Sequence, residues 1–163
     1  MAVALYKLDE RMLHGQVIST FGRIMNPDEF IVVNEGVSKD EEARTLLELA
    51  LPGGAEFDVV SPKTFAKIDQ EDDYWGTKTF VVFRYITDAK EAIEHGAKIP
   101  NLNCAGFYQR PDSAEPQTNY GINLWLTESD KEVLRWLEEH GVELWYQVQY
   151  QNSKSALRDV VKF

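Results

Sequence analysis

Four side chains with reactive or anion-binding chemistry fall within one short segment, Lys7-Leu8-Asp9-Glu10-Arg11-Met12-Leu13-His14-Gly15-Gln16-Val17. An apolar run, Ala2 to Leu8, precedes it and an amphipathic run, Gln16 to Met25, follows, so it reads as the turn from a strand into a helix. His14 and Gly15 then occupy the first helical turn, where unpaired backbone N–H groups attract anions. A neutral imidazole nitrogen is a nucleophile at ordinary pH, because an unperturbed histidine has a pKa of about 6.5. The chemistry that suits these residues is phosphoryl transfer through His14, which places close to two negative charges on the ring nitrogen. A helix terminus contributes only about 0.3 to 1 kcal/mol to an exposed anion, so a cation must carry more. Arg11, with a planar fork that matches phosphate oxygens, is the first choice, and Lys7 is a second cation. Gly15 and Gln16 complete the expected phosphate-binding group. Asp9 would orient Arg11 or fix the imidazole tautomer. On the residues alone, a solvated turn remains the competing reading.

The run LYKLDERMLHGQV resembles the active-site segment of the IIB component of the mannose/sorbose family of the phosphoenolpyruvate-dependent sugar phosphotransferase system, typically RIDxRLIHGQV. Asp9, Arg11, His14, Gly15, Gln16 and Val17 fall on family positions, whereas Lys7 stands for arginine and Met12-Leu13 for Leu-Ile. Further along, Ile31 to Ser61 looks like the family's second strand, second helix and Pro-Gly turn into a third strand. Asn103 to Phe107 resembles a segment usually written NVGGM, and Leu137 to Gln149 a final helix, glycine turn and strand. The resemblance implies that His14 becomes phosphorylated by a IIA partner, supported by Arg11 and Asp9. It also implies that the phosphoryl group passes to a sugar taken up by a membrane IIC/IID permease, with no metal or other cofactor. Cys104-Ala105 and the 110–119 loop depart from the pattern.

Composition sets limits on that expectation. A chain of 163 residues suits one domain, 1–163, large enough to bury a core unaided. The single cysteine, Cys104, forms no intramolecular disulfide and points to a reducing compartment. No signal peptide or membrane-spanning run is visible, so a cytoplasmic protein peripherally associated with its permease is expected. Seventeen basic against twenty-seven acidic residues give a formal charge of −10, which argues against nucleic acid and anionic membrane as partners.

The elements needed to position the motif alternate regularly. Strands are expected at Val3 to Leu8, Glu29 to Asn34, Glu56 to Val60, Lys78 to Arg84, Ile99 to Cys104, Tyr120 to Leu126 and Val142 to Gln149. Helices are expected from Gln16 to Met25, with Val17, Phe21 and Ile24 inward, and from Lys39 to Leu51. That second helix is capped by Ser38 and places Ala43, Leu46, Leu47 and Ala50 on one face. Further helices run from Pro62 to Gln70 after Ser61, from Thr87 to His95, and from Glu128 to His140 after Thr127. Ser153 caps a short terminal helix. The pattern indicates an α/β fold: an open, mostly parallel sheet of about seven strands with helices on both faces. The resemblance adds one antiparallel edge strand. The turn after the first strand lies at the edge where such sheets bind ligands.

His95-Gly96 and His140-Gly141 each close a helix and are read as structural caps, unlike His14-Gly15, which opens one. Asp69 to Asp73 reads as a solvated acidic loop without calcium-loop spacing. Trp125, Trp136 and Trp145 read as core or interface packing. Trp75 is the exposed one, which a homodimer or partner surface could use. Two other functions use the same residues: an enzyme with His14 as general acid/base beside Asp9 or Glu35, and a non-catalytic regulatory relative that binds sugar-system partners. Whether Arg84 and the 107–119 loop join the site is open at this level.

Overall fold

The computed structural model describes residues 2–13 and 17–163. Seven strands form one sheet: β1 (Val3–Leu8), β2 (Glu29–Val33), β3 (Glu56–Val60), β4 (Thr79–Phe83), β5 (Asn101–Asn103), β8 (Glu143–Tyr146) and β9 (Ser155–Ala156). Their spatial order is β3-β2-β4-β1-β5-β8-β9. Every pairing is parallel except β8 with β9, which is antiparallel and forms one edge. A separate antiparallel hairpin, β6 (Thr118–Gly121) and β7 (Leu124–Leu126), stands outside the sheet.

The central strands are continuous apolar runs because both faces are covered. Side-chain alternation sorts them: Tyr6, Leu8, Ile31, Val33, Val81 and Phe83 enter one core, while Leu5, Phe30, Val32, Phe80 and Val82 enter the other. On the first face lie α4 (Pro62–Glu71), α5 (Ile86–Glu94) and α6 (Glu128–Glu139), contributing Phe65, Ala89 and Leu134 among others. On the second lie a π-helical stretch, Val17–Gly22, running into the single turn α1 (Arg23–Met25), and α2 (Glu35–Ser38) with α3 (Glu41–Leu49). The connection leaving β1 thus crosses to one face, whereas α5, between β4 and β5, and α6, leading into β8, cover the other. β1 lies between β4 and β5, and the carboxyl ends of such strands are where sheets of this kind bind ligands.

Several expected elements are corrected. The Gln16 to Met25 helix is π-helical from Val17; its inward face keeps Val17 and Phe21 buried but leaves Ile24 52% exposed. The Lys39 to Leu51 helix is the shorter α3, Glu41–Leu49, and the single turn α2 precedes it. Asn34 caps α2 by accepting from the Val37 N–H, and Asp40 rather than Ser38 caps α3 by accepting from Ala43 N–H. In α3 Leu47 is buried while Leu46 is 58% exposed. The fourth helix starts after Tyr85 rather than Thr87, with the Asp88 carboxylate accepting the Tyr85 N–H at 3.0 Å. Tyr120 to Leu126 is not one strand, because Asn123 takes a left-handed φ of 57° and turns the chain back. The terminal segment after Ser153 forms β9 and a 3-10 turn, Leu157–Asp159. Asp69 belongs to α4 and is engaged by the Tyr74 hydroxyl (2.9 Å) and the Lys98 N–H (2.8 Å).

Candidate functional site

The Asp9-Glu10-Arg11 segment leaves β1 where three strands end together, since Leu8 lies opposite Phe83 and Lys7 opposite Asn103. Asp9 N–H donates to the Phe83 carbonyl at 2.9 Å, and Glu10 N–H to the Gly106 carbonyl at 2.9 Å. One Asp9 carboxylate oxygen accepts the Arg11 N–H at 2.9 Å, and the Asp9 carbonyl accepts the Met12 N–H at 2.9 Å. The first is the local bond by which an aspartate folds the chain into a turn. Met12 completes that turn at a left-handed φ of 59°. Leu13 and Val17 are fully buried in the same core. His14, Gly15 and Gln16, the expected nucleophile and two of its phosphate-binding neighbours, lie outside the described residues.

Arg11 is exposed, with its guanidinium carbon 3.8 Å from the centroid of the Tyr108 ring. Asp9 is completely buried, and burial pushes its carboxyl up to about 6 against the pull of Lys7 and Arg11. Its second oxygen, Oδ2, has no hydrogen-bond partner among the described residues.

Lys7, expected as a surface cation, is instead wholly enclosed, and that expectation is revised. It points from β1 onto the face carrying Phe21, 5.6 Å from that ring, and donates to the Ala105 carbonyl. Burial lowers its ammonium to about 8, opposed by Asp9. Lys7 therefore acts on Asp9 from beneath rather than reaching out to an anion.

The segment after β5 presses against the motif. Asn103 accepts from the N–H groups of Ala105 (3.1 Å) and Gln147 (3.2 Å) and donates to the Gln147 carbonyl (2.9 Å), tying β5 to β8. Cys104 is buried, and burial pushes its thiol up to about 12, so it stays protonated. Tyr108 N–H donates to Glu10 Oε1 at 2.6 Å. Arg110 bridges Glu10 (3.4 Å) and Asp130 (2.7 Å) and lies over the Phe107 ring at 4.0 Å. The 107–119 loop is thus fastened to Glu10 and Arg11.

The Arg84 guanidinium sits 5.0 Å from the Tyr85 ring and acts on Asp88, facing the neighbouring helix start. Only the length and composition of their loop mark Tyr108 and Arg110 in the sequence; neither belongs to a local motif. His95 and His140 sit at helix ends as expected, followed by Gly96 and Gly141 at φ +103° and +88°. Trp75 is 64% exposed and Trp145 is buried. Among the described residues, no helix is long and apolar enough to cross a membrane.

A family model described as the sorbose subfamily IIB component of the PTS matches residues 3–163. The chain is 30% identical over 144 residues to the sorbose-specific EIIB component of Klebsiella pneumoniae, covering 88% of this chain and 85% of that protein. It is 29% identical over 144 residues to the mannose-specific EIIAB component of Escherichia coli K12, spanning 88% of this chain but 43% of that longer protein. Its fold superposes on the crystal structure of the IIBSor domain of the Klebsiella pneumoniae sorbose permease with a TM-score of 0.84 at 28% identity. That match covers 98% of this chain and 95% of the other.

Proposed function

Because this chain belongs to the sorbose subfamily of phosphotransferase-system IIB components, we propose that it is a phosphohistidine carrier acting through His14. A ring nitrogen of His14 attacks the phosphorus of a phosphohistidine on a IIA partner, forming one N–P bond as the donor's N–P bond breaks. A hydroxyl of the sugar held by a membrane IIC/IID permease then attacks the same phosphorus. The O–P bond forms, the N–P bond to His14 breaks, and the hydroxyl proton departs to solvent. Such transfer asks for in-line positioning and charge stabilisation rather than a metal or redox group.

Arg11 supplies the forked cation for the phosphoryl oxygens, and Gly15 and Gln16 are the further phosphate-binding residues the motif offers. Asp9 fixes the turn from below and Lys7 balances its charge. The one observation that carries the reading is the placement of Arg11: exposed at the carboxyl edge of the central strand, three residues before His14. A IIA partner is favoured by the relative whose name joins A and B components. Relatives named for sorbose, mannose and fructose leave the sugar to be identified by assay. The protein would act in the cytoplasm and dock at the permease.

The acid/base alternative needs a closed pocket around His14. Among the described residues, a cavity of about 590 Å³ lies at the opposite end of β1, between Ala2, Val3, Tyr74 and Pro100. The test is intact mass and phosphosite mapping after incubation with phosphoenolpyruvate, the general phosphotransfer proteins and a IIA protein, alongside His14→Gln. One acid-labile phosphate on His14, absent from a folded variant, is expected. Phosphate retained in His14→Gln would sink the assignment.

A further inference from the structure

We infer that Tyr108 is the positioning residue for Arg11, and that the loop after β5 is the arm that delivers it. This rests on the reading in which Arg11 receives the phosphoryl group.

Three observations converge. First, among the described residues no carboxylate lies within ion-pair distance of the Arg11 guanidinium. An exposed arginine without such a partner samples many rotamers, yet this one is placed over an aromatic face at 3.8 Å. A ring holds a guanidinium by its plane and leaves the N–H edges free, which is the geometry a phosphoryl acceptor needs. A carboxylate in the same role would occupy those edges and cancel the charge.

Second, the backbone of Tyr108 is fixed from both sides. Its N–H donates to Glu10 Oε1 at 2.6 Å, and its carbonyl accepts from Arg110 at 3.4 Å. Arg110 also donates to the carbonyl of Trp125 at 3.4 Å and pairs with Asp130 at 2.7 Å. Asp130 is itself locked by the N-terminal cap of α6, where it accepts the Thr127 N–H at 2.9 Å. The Phe107 carbonyl accepts the Trp125 N–H at 2.7 Å. The sheet, the hairpin and α6 therefore all hold the ring, while Glu10, between Asp9 and Arg11, receives it.

Third, the phenol is oriented as well as held. Its hydroxyl is buried without a hydrogen-bond partner among the described residues, as is Asp9 Oδ2. Burial, with the nearby Asp9 charge, pushes the phenol up to about 12, so it keeps its proton. The buried hydroxyl feels the Asp9 carboxylate, while Arg11 lies over the ring face.

The test compares initial rates of His14 phosphorylation by a phosphorylated IIA protein, read by intact mass, in wild type, Tyr108→Phe, Tyr108→Leu, Arg11→Gln and the Arg11→Gln/Tyr108→Leu double variant. Loss of the ring should slow transfer by about 10- to 100-fold, as misplacement of a charge-stabilising group does. Tyr108→Phe, which keeps the face, should stay much closer to wild type. The double variant should be no slower than Arg11→Gln alone, since Tyr108 acts through Arg11. A Tyr108→Leu protein as fast as wild type, or one slowed equally in the Arg11→Gln background, overturns the proposal. An upfield ring-current shift of the Arg11 side-chain protons in wild type and Tyr108→Phe is a readout independent of how the leucine variant folds. Its absence also overturns the proposal. If wild type takes no phosphate from a IIA that phosphorylates another IIB protein, the functional reading falls and takes this role with it. Normal transfer with an indifferent Tyr108→Leu removes the positioning role alone.

Discussion

Gly106 passes so close to Leu8 that a methyl group on its α-carbon would overlap the Leu8 carbonyl oxygen and stand 2.9 Å from the Asp9 α-carbon. Only a residue without a side chain lets the two backbones meet this closely. The contact brings the Gly106 carbonyl to the Glu10 N–H and so sets the spacing between the motif and the Tyr108 arm.

Gly106→Ala should therefore destabilise the protein by about 2 kcal/mol or more, because backbone rather than a flexible side chain blocks the methyl group. Urea unfolding measures the loss. Phosphorylation of the folded fraction should fall too, as the arm is pushed off Arg11. An unfolding midpoint within error of wild type would show that the two segments are not in contact.

A second expectation concerns the charge beneath the motif. In Lys7→Met the buried ammonium is gone, and Asp9 should titrate above the value of about 6 it has in the native protein. Because the folded value lies above the unfolded one, Asp9 contributes stability fully at low pH and loses it as pH rises through the folded value. In the variant that loss extends to higher pH, growing by about 1.4 kcal/mol for every pH unit by which the Asp9 midpoint rises. Lys7, lowered to about 8, has the opposite sign, and its contribution is lost as pH falls through that value. A carbon-13 carboxyl titration follows Asp9 alone. A midpoint at or below 6 in the variant would mean the two groups do not interact.

A third concerns Asp88, which joins the start of α5 to the end of β2. Its Oδ2 accepts from Asn34 Nδ2 and Tyr85 N–H, both at 3.0 Å. Burial outweighs these bonds and raises the carboxyl to about 6. The unfolding free energy of wild type relative to Asp88→Asn should fall as pH rises from about 4 to about 6, by up to about 3 kcal/mol. Denaturant melts across that range give the difference; a constant gap would contradict the raised value.

The strands are legible in the sequence because buried parallel strands write themselves as apolar runs, Phe30 to Val33 and Phe80 to Phe83 being the plainest. Thr127 with Asp130, Ser61 with Pro62, and the two His-Gly pairs announce helix ends through local chemistry. The turn at Asn123 is hidden because a single left-handed residue leaves hydrophobic alternation intact, so a hairpin reads as one strand. Ser38 has the capping-box spacing, yet it closes α2 and Asp40 caps α3, with Val37 of α2 buried in the core. The enclosure of Lys7 is invisible because a lysine on a strand gives no sign of which face will be covered. The Glu10–Arg110–Asp130 chain joins residues 100 and 20 positions apart, a pairing no local pattern encodes.

That long-range clamp also orders events in time. The histidine motif precedes its partners along the chain: its strand pairs with β4 and β5, and its arm arrives only with Tyr108. Arg110 and then Asp130 must emerge before the arm is fastened. Contacts of such sequence separation form late. On the proposed function, a chain cut before Asp130 would carry the Asp9 to Arg11 turn without the fastened arm over its arginine, and phosphoryl-acceptor competence would be a property of finished molecules.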